Sequence, residues 1–445
     1  MKSRYIAFFL LLLVTVSCEP KLDEFTPSAG SADFTKYISL GNSLTAGYSD
    51  YALYTSGQSY SYPNLIARQM KLAGGGEFIQ PEVTNEDGLL AGKLKLGFST
   101  NCLGVTSLGP VQAGGTPTGY PDAALPIGYT VNNFGVPGAK SFHLIAPGYG
   151  DKDGLLDTPP TANTYFVRFA SSAATTVLAD AVAASPTFFS LWIGNNDVLG
   201  YSTSGGMDDA ITDQATFSYS INTIITNMTA NGAKGIVANI PDVTSIPFFT
   251  TVPFNGLVLT RQGQVDSLNY GYHSIGATHI NFTLGLNAFV IEDPTVPGYG
   301  MRQINSNEYV LLSLPQDLIR CEGYGSQVPI PGGFTLVESE VNAIKTATAG
   351  YNQTLKNLAE ASDLAFVDVN SFLANAKTGL IYDGIKFSLS YVTGGVFSLD
   401  GVHLTPRGNA IVANKFIDAI NLKYNSTIPH VNVGDYPGLL FPEIP

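Results

Sequence analysis

Residues 35–47 read TKYISLGNSLTAG, a short β-rich run that breaks into a turn of small residues, and Tyr62 to Leu72 then carries helical apolar spacing. Strand, tight loop, helix is the opening unit of a parallel α/β sheet. The pattern recurs downstream. Residues 131–139 run into a Gly-rich turn, 187–193 form a continuous apolar strand ending in Gly194-Asn195-Asn196-Asp197, and 235–240 close on Pro241-Asp242. The spacing predicts helices over 170–184, 217–230, 339–361 and 404–422, and a further strand over 364–369. Unbroken apolar strands need cover on both faces, so the expected fold is a three-layer α/β/α sandwich around a mainly parallel central sheet. Active sites of such sheets lie beyond the carboxyl ends of the strands, where the turns at 41–47, 135–139 and 194–197 should converge.

Two long stretches, about 73–130 and 245–335, lack this periodicity but keep recurring apolar residues, which marks them as insertions and not linkers. The chain has 445 residues, 44% hydrophobic and 11% aromatic, a composition that excludes disorder. Charged residues are 13%, about half the usual ~25%, against 47 Gly and 26 Pro. This favours a secreted or envelope protein. The net charge is −13 and no basic cluster follows the N-terminus, so nucleic acid is not an expected partner.

Residues 1–20, MKSRYIAFFLLLLVTVSCEP, put Lys2 and Arg4 before an apolar run from Ile6 to Val16 and then Ser17-Cys18. The run falls short of the ~20 residues that span a bilayer, so it reads as a signal-peptide core. A small residue followed by Cys resembles the bacterial lipoprotein signal, which implies removal of 1–17 and lipidation of Cys18, although Thr15 stands where the strict pattern prefers Leu. The expected organisation is a signal peptide (1–17), a tether (18–34), one catalytic domain (35–425) and a C-terminal extension (426–445). The expected location is the bacterial cell envelope, outer membrane included, with membrane contact only through the lipid. Cys102 and Cys321 either pair in that oxidising compartment or remain two buried thiols. Neither has metal-ligand spacing, and no metal is expected.

Ser43 sits in a Gly-flanked turn after a strand, where a hydroxyl can be exposed at a helix N-terminus. Alone it would be a helix cap. What changes the reading is Asp400-Gly401-Val402-His403, a carboxylate and an imidazole three residues apart that one turn can aim inward, the Asp fixing the tautomer and the His taking a serine proton. The other histidines, at 143, 273, 279 and 430, have no such context. Asp197 and Asp242, at strand ends, read as helix or turn caps.

With four blocks in view, GNSLTAGY at 41–48, NNFGVPGA at 132–139, GNND at 194–197 and SLDGVHLTPRGN at 398–409, the chain resembles the SGNH, or GDSL-type, ester hydrolases. All four blocks stand in family order and frame residues from about 35 to 422. The resemblance implies a catalytic triad of Ser43, His403 and Asp400, and an oxyanion hole of Asn196, the Ser43 amide and Gly138, with Gly135 as the alternative glycine. It implies an acyl-enzyme mechanism without a cofactor on ester substrates, lipid, glycan or other small molecules. One departure is Asn42, where the family has Asp. The alternative reading is a catalytically silent surface lipoprotein that binds glycans on the same fold. The insertions, rich in Tyr and Gly, are expected to roof the site and carry specificity.

Overall fold

The computed structural model describes residues 25–442, so the signal segment and Cys18 lie outside the described residues. Five strands form one parallel sheet: β1 (Tyr37–Gly41), β2 (Asn133–Gly135), β3 (Phe188–Trp192), β4 (Lys234–Ala238) and β5 (Ala365–Val367), in the order β5-β4-β3-β1-β2. β1 and β3 are buried along their whole length, as strands flanked by neighbours and covered on both faces must be. Gly41 pairs with Gly135 on one side and Trp192 on the other, so three turns leave the sheet at one level. The chain steps from β1 to β2, then crosses back to lay β3 on the opposite side of β1. Loops leaving β1 and β3 therefore part in opposite directions, which opens the crevice where such sheets hold ligands.

Helices cover the two faces in a three-layer α/β/α arrangement. They are α1 (Ser43–Ala46), α2 (Tyr62–Leu72), α3 (Val177–Ala183), α4 (Asn196–Thr203), α5 (Gln214–Thr229), α6 (Glu338–Ala361) and α7 (Pro406–Tyr424). On one face Tyr62 of α2 lies 4.9 Å from Phe416 of α7 and 5.3 Å from Trp192. On the other, Phe217 of α5 stacks on Tyr351 of α6 at 4.0 Å. α3 is shorter than its sequence spacing predicts. Ser171 and Thr175 spend their hydroxyls on Asp180, and Thr176 accepts the Ala179 amide as the cap, so hydroxyl groups hold 171–176 outside the helix. α7 starts at Pro406 and not at 404, because the proline ring keeps Thr405 extended, where its Oγ1 caps Gly408 at 3.0 Å.

The insertions have cores of their own. Residues 73–130 include a hairpin of 94–100 with 106–112, and Val83, Leu89 and Ala123 cluster with Ala46 and Leu53 beside the Ser43 turn. Residues 245–335 hold two separate apolar clusters and an Arg302 fork that binds Asp293 and Glu308. A disulfide joins Cys102, at the hairpin turn, to Cys321 in the second insertion. Ser28 and Ser31, inside the expected tether, exchange hydrogen bonds with Tyr424 and Thr427. Beyond α7, Asn414 holds Val431 through both its amide groups. No helix among the described residues is long and apolar enough to cross a membrane.

Candidate active site

Gly41 closes β1 and has no room for a side chain, which would press on Thr45 Oγ1 and meet the Trp192 carbonyl oxygen at 2.6 Å. The chain then turns into α1, with Asn42 as its cap: Oδ1 accepts the Leu44 amide at 3.1 Å. Its other end donates to Asn195 Oδ1 at 3.4 Å. An Asp at 42 could cap the turn equally; the bond as it stands, with residue 42 donating to Asn195 Oδ1, uses the Asn proton and links the turn after β1 to the turn after β3. Tyr62 and Thr45 share a buried hydrogen bond of 2.9 Å that fixes α1 against α2. Ser43 opens the helix, its side chain nearly buried.

Ser43 Oγ lies 2.9 Å from His403 Nε2, and His403 Nδ1 lies 2.8 Å from Asp400 Oδ2. Asp400 Oδ1 accepts the amides of Val402 (2.9 Å) and His403 (2.8 Å) and the Ser398 hydroxyl (3.0 Å), while Oδ2 also accepts the Tyr51 amide (3.0 Å). Burial opposes the charge of Asp400, but the facing imidazole and these donors outweigh it and hold the carboxyl well below the usual carboxylate range. An ionised Asp400 assigns the imidazole proton to Nδ1 and leaves the Nε2 lone pair for the serine. Gly401, at φ +72°, makes the turn, since a side chain there would also press on Leu312 at 2.9 Å.

Gly138 and Gly135 separate cleanly. Gly135 is buried, its amide donates to Asn133 Oδ1 at 2.9 Å, and an added Cβ would press on the backbone of Thr45 and Ala46. Gly138 is exposed at φ +80°, with only Asn163 within 4.0 Å of an added Cβ. Its amide and that of Ser43 are not taken up by other groups among the described residues. Asn196 starts α4 and donates one amide proton to Ala139 O at 2.9 Å, which leaves the second proton free beside the Gly138 turn. Asp197 is buried under this junction and accepts the Ser141 amide (2.8 Å) and hydroxyl (2.7 Å), and burial pushes its carboxyl up against those bonds. Asp242 caps a short turn through Thr244. Both acids thus hold loops.

The other four histidines are engaged elsewhere. His143 stacks on Tyr149 and accepts the Lys140 amide, with burial and the Lys140 charge pulling it down to about 4. His273 and His279 meet carbonyls, and His430 meets Asp418. Among the described residues no group of three or more His, Cys, Asp or Glu is set to hold a metal ion.

Sequence reasoning missed the support behind Asp400. Asp50 and Tyr51 both adopt positive φ, 50° and 70°, which lets Tyr51 point its amide at Asp400. Asp50 Oδ1 accepts the Leu399 amide at 3.0 Å, and its own amide donates at 3.1 Å to the Ser398 hydroxyl that in turn donates to Asp400. Ser398, two residues before Asp400, was a readable signal; the strained pair was not. Asp400 and Leu399 also border a wide cleft between the two insertions, shared with Tyr51, Leu108, Phe248 and Arg320. The insertions therefore flank the aspartate side of the site.

The fold and site define a parallel-sheet α/β protein with a hydrogen-bonded serine, histidine and aspartate at the carboxyl edge of its sheet. Residues 37–416 match the GDSL-like Lipase/Acylhydrolase family model, and the chain belongs to that family of hydrolases. Among solved structures, it is similar to one described as a GDSL-like lipase from Parabacteroides merdae ATCC 43184, at 10% identity and a TM-score of 0.36, covering 89% of this chain and 100% of that one. It is also similar to a lipase/acylhydrolase from Enterococcus faecalis, at 12% identity and a TM-score of 0.33, covering 89% and 98%. Likenesses this loose carry no argument of their own. A search of curated proteins gave no match.

Proposed function

We propose that the protein is a carboxylic ester hydrolase working through an acyl-enzyme on Ser43. The observation that supports this most directly is the unbroken chain from Ser43 Oγ to His403 Nε2 (2.9 Å) and from His403 Nδ1 to Asp400 (2.8 Å). In this reading Ser43 Oγ attacks the ester carbonyl as its proton passes to Nε2. The carbonyl oxygen takes the negative charge and is met by the amides of Ser43 and Gly138 and the free proton of Asn196. As the intermediate collapses, the C–O bond to the alcohol breaks and His403 returns the proton to that oxygen. Water then attacks the acyl-enzyme with His403 again as base, freeing the acid and restoring Ser43. Asp400 stays ionised throughout and supports the imidazolium. These steps need no cofactor.

The test is a fluorophosphonate probe together with a short-chain aryl ester. Wild type is expected to be labelled, and Ser43→Ala to lose labelling and on the order of 10³-fold or more in kcat. An unlabelled wild type, or a Ser43→Ala variant of full activity, overturns the assignment.

We further propose export and a lipid anchor at Cys18, supported by the N-terminal charge and apolar pattern and by a disulfide that suits an oxidising compartment. Labelling of the chain by a fatty-acid analogue in a bacterial host, abolished in Cys18→Ser, is the expected result.

A further inference from the structure

A cavity of about 70 Å³ has Ser43 and His403 in its wall. Its polar side chains are those of Asn42, Ser43, Asn195, Asn196 and His403, all in or against the site described above. The remainder is almost entirely aliphatic and aromatic, and comes from core elements. Ile246 follows β4, Val369 and Leu373 stand on the helix Val369–Ala376 after β5, Phe397 precedes the Asp400 turn, and Ile411 and Val412 lie on α7. No residue of 73–130 reaches it, and 245–335 contributes only Ile246.

We propose that this cavity is the acyl chamber, and that the enzyme takes esters of apolar carboxylic acids in preference to acetyl esters, up to a length set by the chamber. The claim about turnover rests on Ser43 being the nucleophile. When the carbonyl carbon is bonded to Ser43 and its oxygen faces Gly138, the alkyl chain needs a route away from that glycine, and the chamber's lining includes Ser43 but not Gly138. The chamber is the apolar space that begins at Ser43. A hydroxylated or charged acyl group would find no partner along its aliphatic walls and would lose its hydration. An acetyl group would leave the chamber unfilled, forfeiting the contacts its walls could make. Each added methylene that enters is worth about 0.8 kcal/mol, or roughly fourfold in kcat/KM, until the chamber is full. In this proposal specificity for the acyl group rests mainly on core elements, with Ile246 as the contribution of the second insertion.

The experiment measures kcat/KM for p-nitrophenyl acetate, butyrate, hexanoate, octanoate and palmitate, and the binding of octanoate and acetate to Ser43→Ala by calorimetry. A rise of roughly fourfold per methylene from acetate upward, a fall at palmitate, and octanoate binding at least tenfold tighter than acetate are expected. Val369→Phe, which fills the chamber, should lower the octanoate-to-acetate ratio of kcat/KM at least tenfold, with fluorophosphonate labelling as the check that the variant is folded. A flat profile, a preference for acetate, or failure of Ser43→Ala to bind octanoate overturns the proposal. If Ser43→Ala binds octanoate while wild type is never labelled by a fluorophosphonate, the hydrolase reading fails and the chamber stands.

Discussion

Asp400 carries the most tightly constrained charge in the site. Its folded-state pKa is depressed, so the stability it contributes is present above its unfolded value of about 3.9 and is lost only as pH falls through the lower folded value. Over the range in which an ester hydrolase is assayed it does not titrate. In the proposed mechanism the acid limb of log kcat/KM against pH therefore has a slope of one, from a single proton, and a slope of two would contradict it. Asp400→Asn keeps the shape of the side chain but presents a donor to Nδ1 and favours the wrong tautomer. The expected loss is on the order of 10⁴ in kcat, measured on an aryl ester with unchanged circular dichroism. Asn42 is the converse case. It departs from the family's aspartate without giving up the cap, and it adds the bond to Asn195.

At the scale of elements, two glycines three residues apart do different jobs. Gly135 lies within β2 against α1, and Gly135→Ala should lower the thermal midpoint because the backbone of α1 has no room to withdraw. Gly138 stands in open space at φ +80°, so Gly138→Ala meets no clash but adds strain of about 1–2 kcal/mol that the turn relieves by rotating its amide. The expected outcome is a small change in midpoint and a tenfold or greater loss of kcat. Equal effects of the two variants on both measurements would contradict this division. The four motif blocks were legible in sequence because each sets particular residue types in a tight turn, three of them at the ends of β1, β2 and β3 and the fourth just before α7. The segment 170–176 was not, since a run of Ala, Ser and Thr reads as helix until the Asp180 carboxylate claims its hydroxyls. The chamber was also hidden: Ile246, Val369, Phe397 and Ile411 each look like ordinary core residues, and only the order of strands brings them together.

Across the whole molecule the surplus length is spent on two lobes pinned to each other. The Cys102–Cys321 bond closes a separation of 219 residues, and both ends lie in insertions. Restricting so long a loop in the unfolded chain stabilises the fold by about 2–4 kcal/mol. Cys102→Ser is expected to lower the thermal midpoint by several degrees, read by calorimetry with and without reductant, and reductant should have no further effect on the variant. Because neither cysteine nor the 94–112 hairpin touches the chamber, the order of preference among acyl chains should survive the loss of the bond. A changed acyl optimum would mean that the lobes reach further into the site than the geometry indicates.

Ser43 and His403 are 360 residues apart, one at the exit of the first strand and the other just before the last long helix. Synthesis lays down Ser43 early and His403 near the end, with four of the five strands of the sheet in between. A chain that stops before His403 holds neither the partner of Ser43 nor the α7 wall of the chamber. In the proposed mechanism, connectivity thus delays the activation of Ser43 until all five strands have been made.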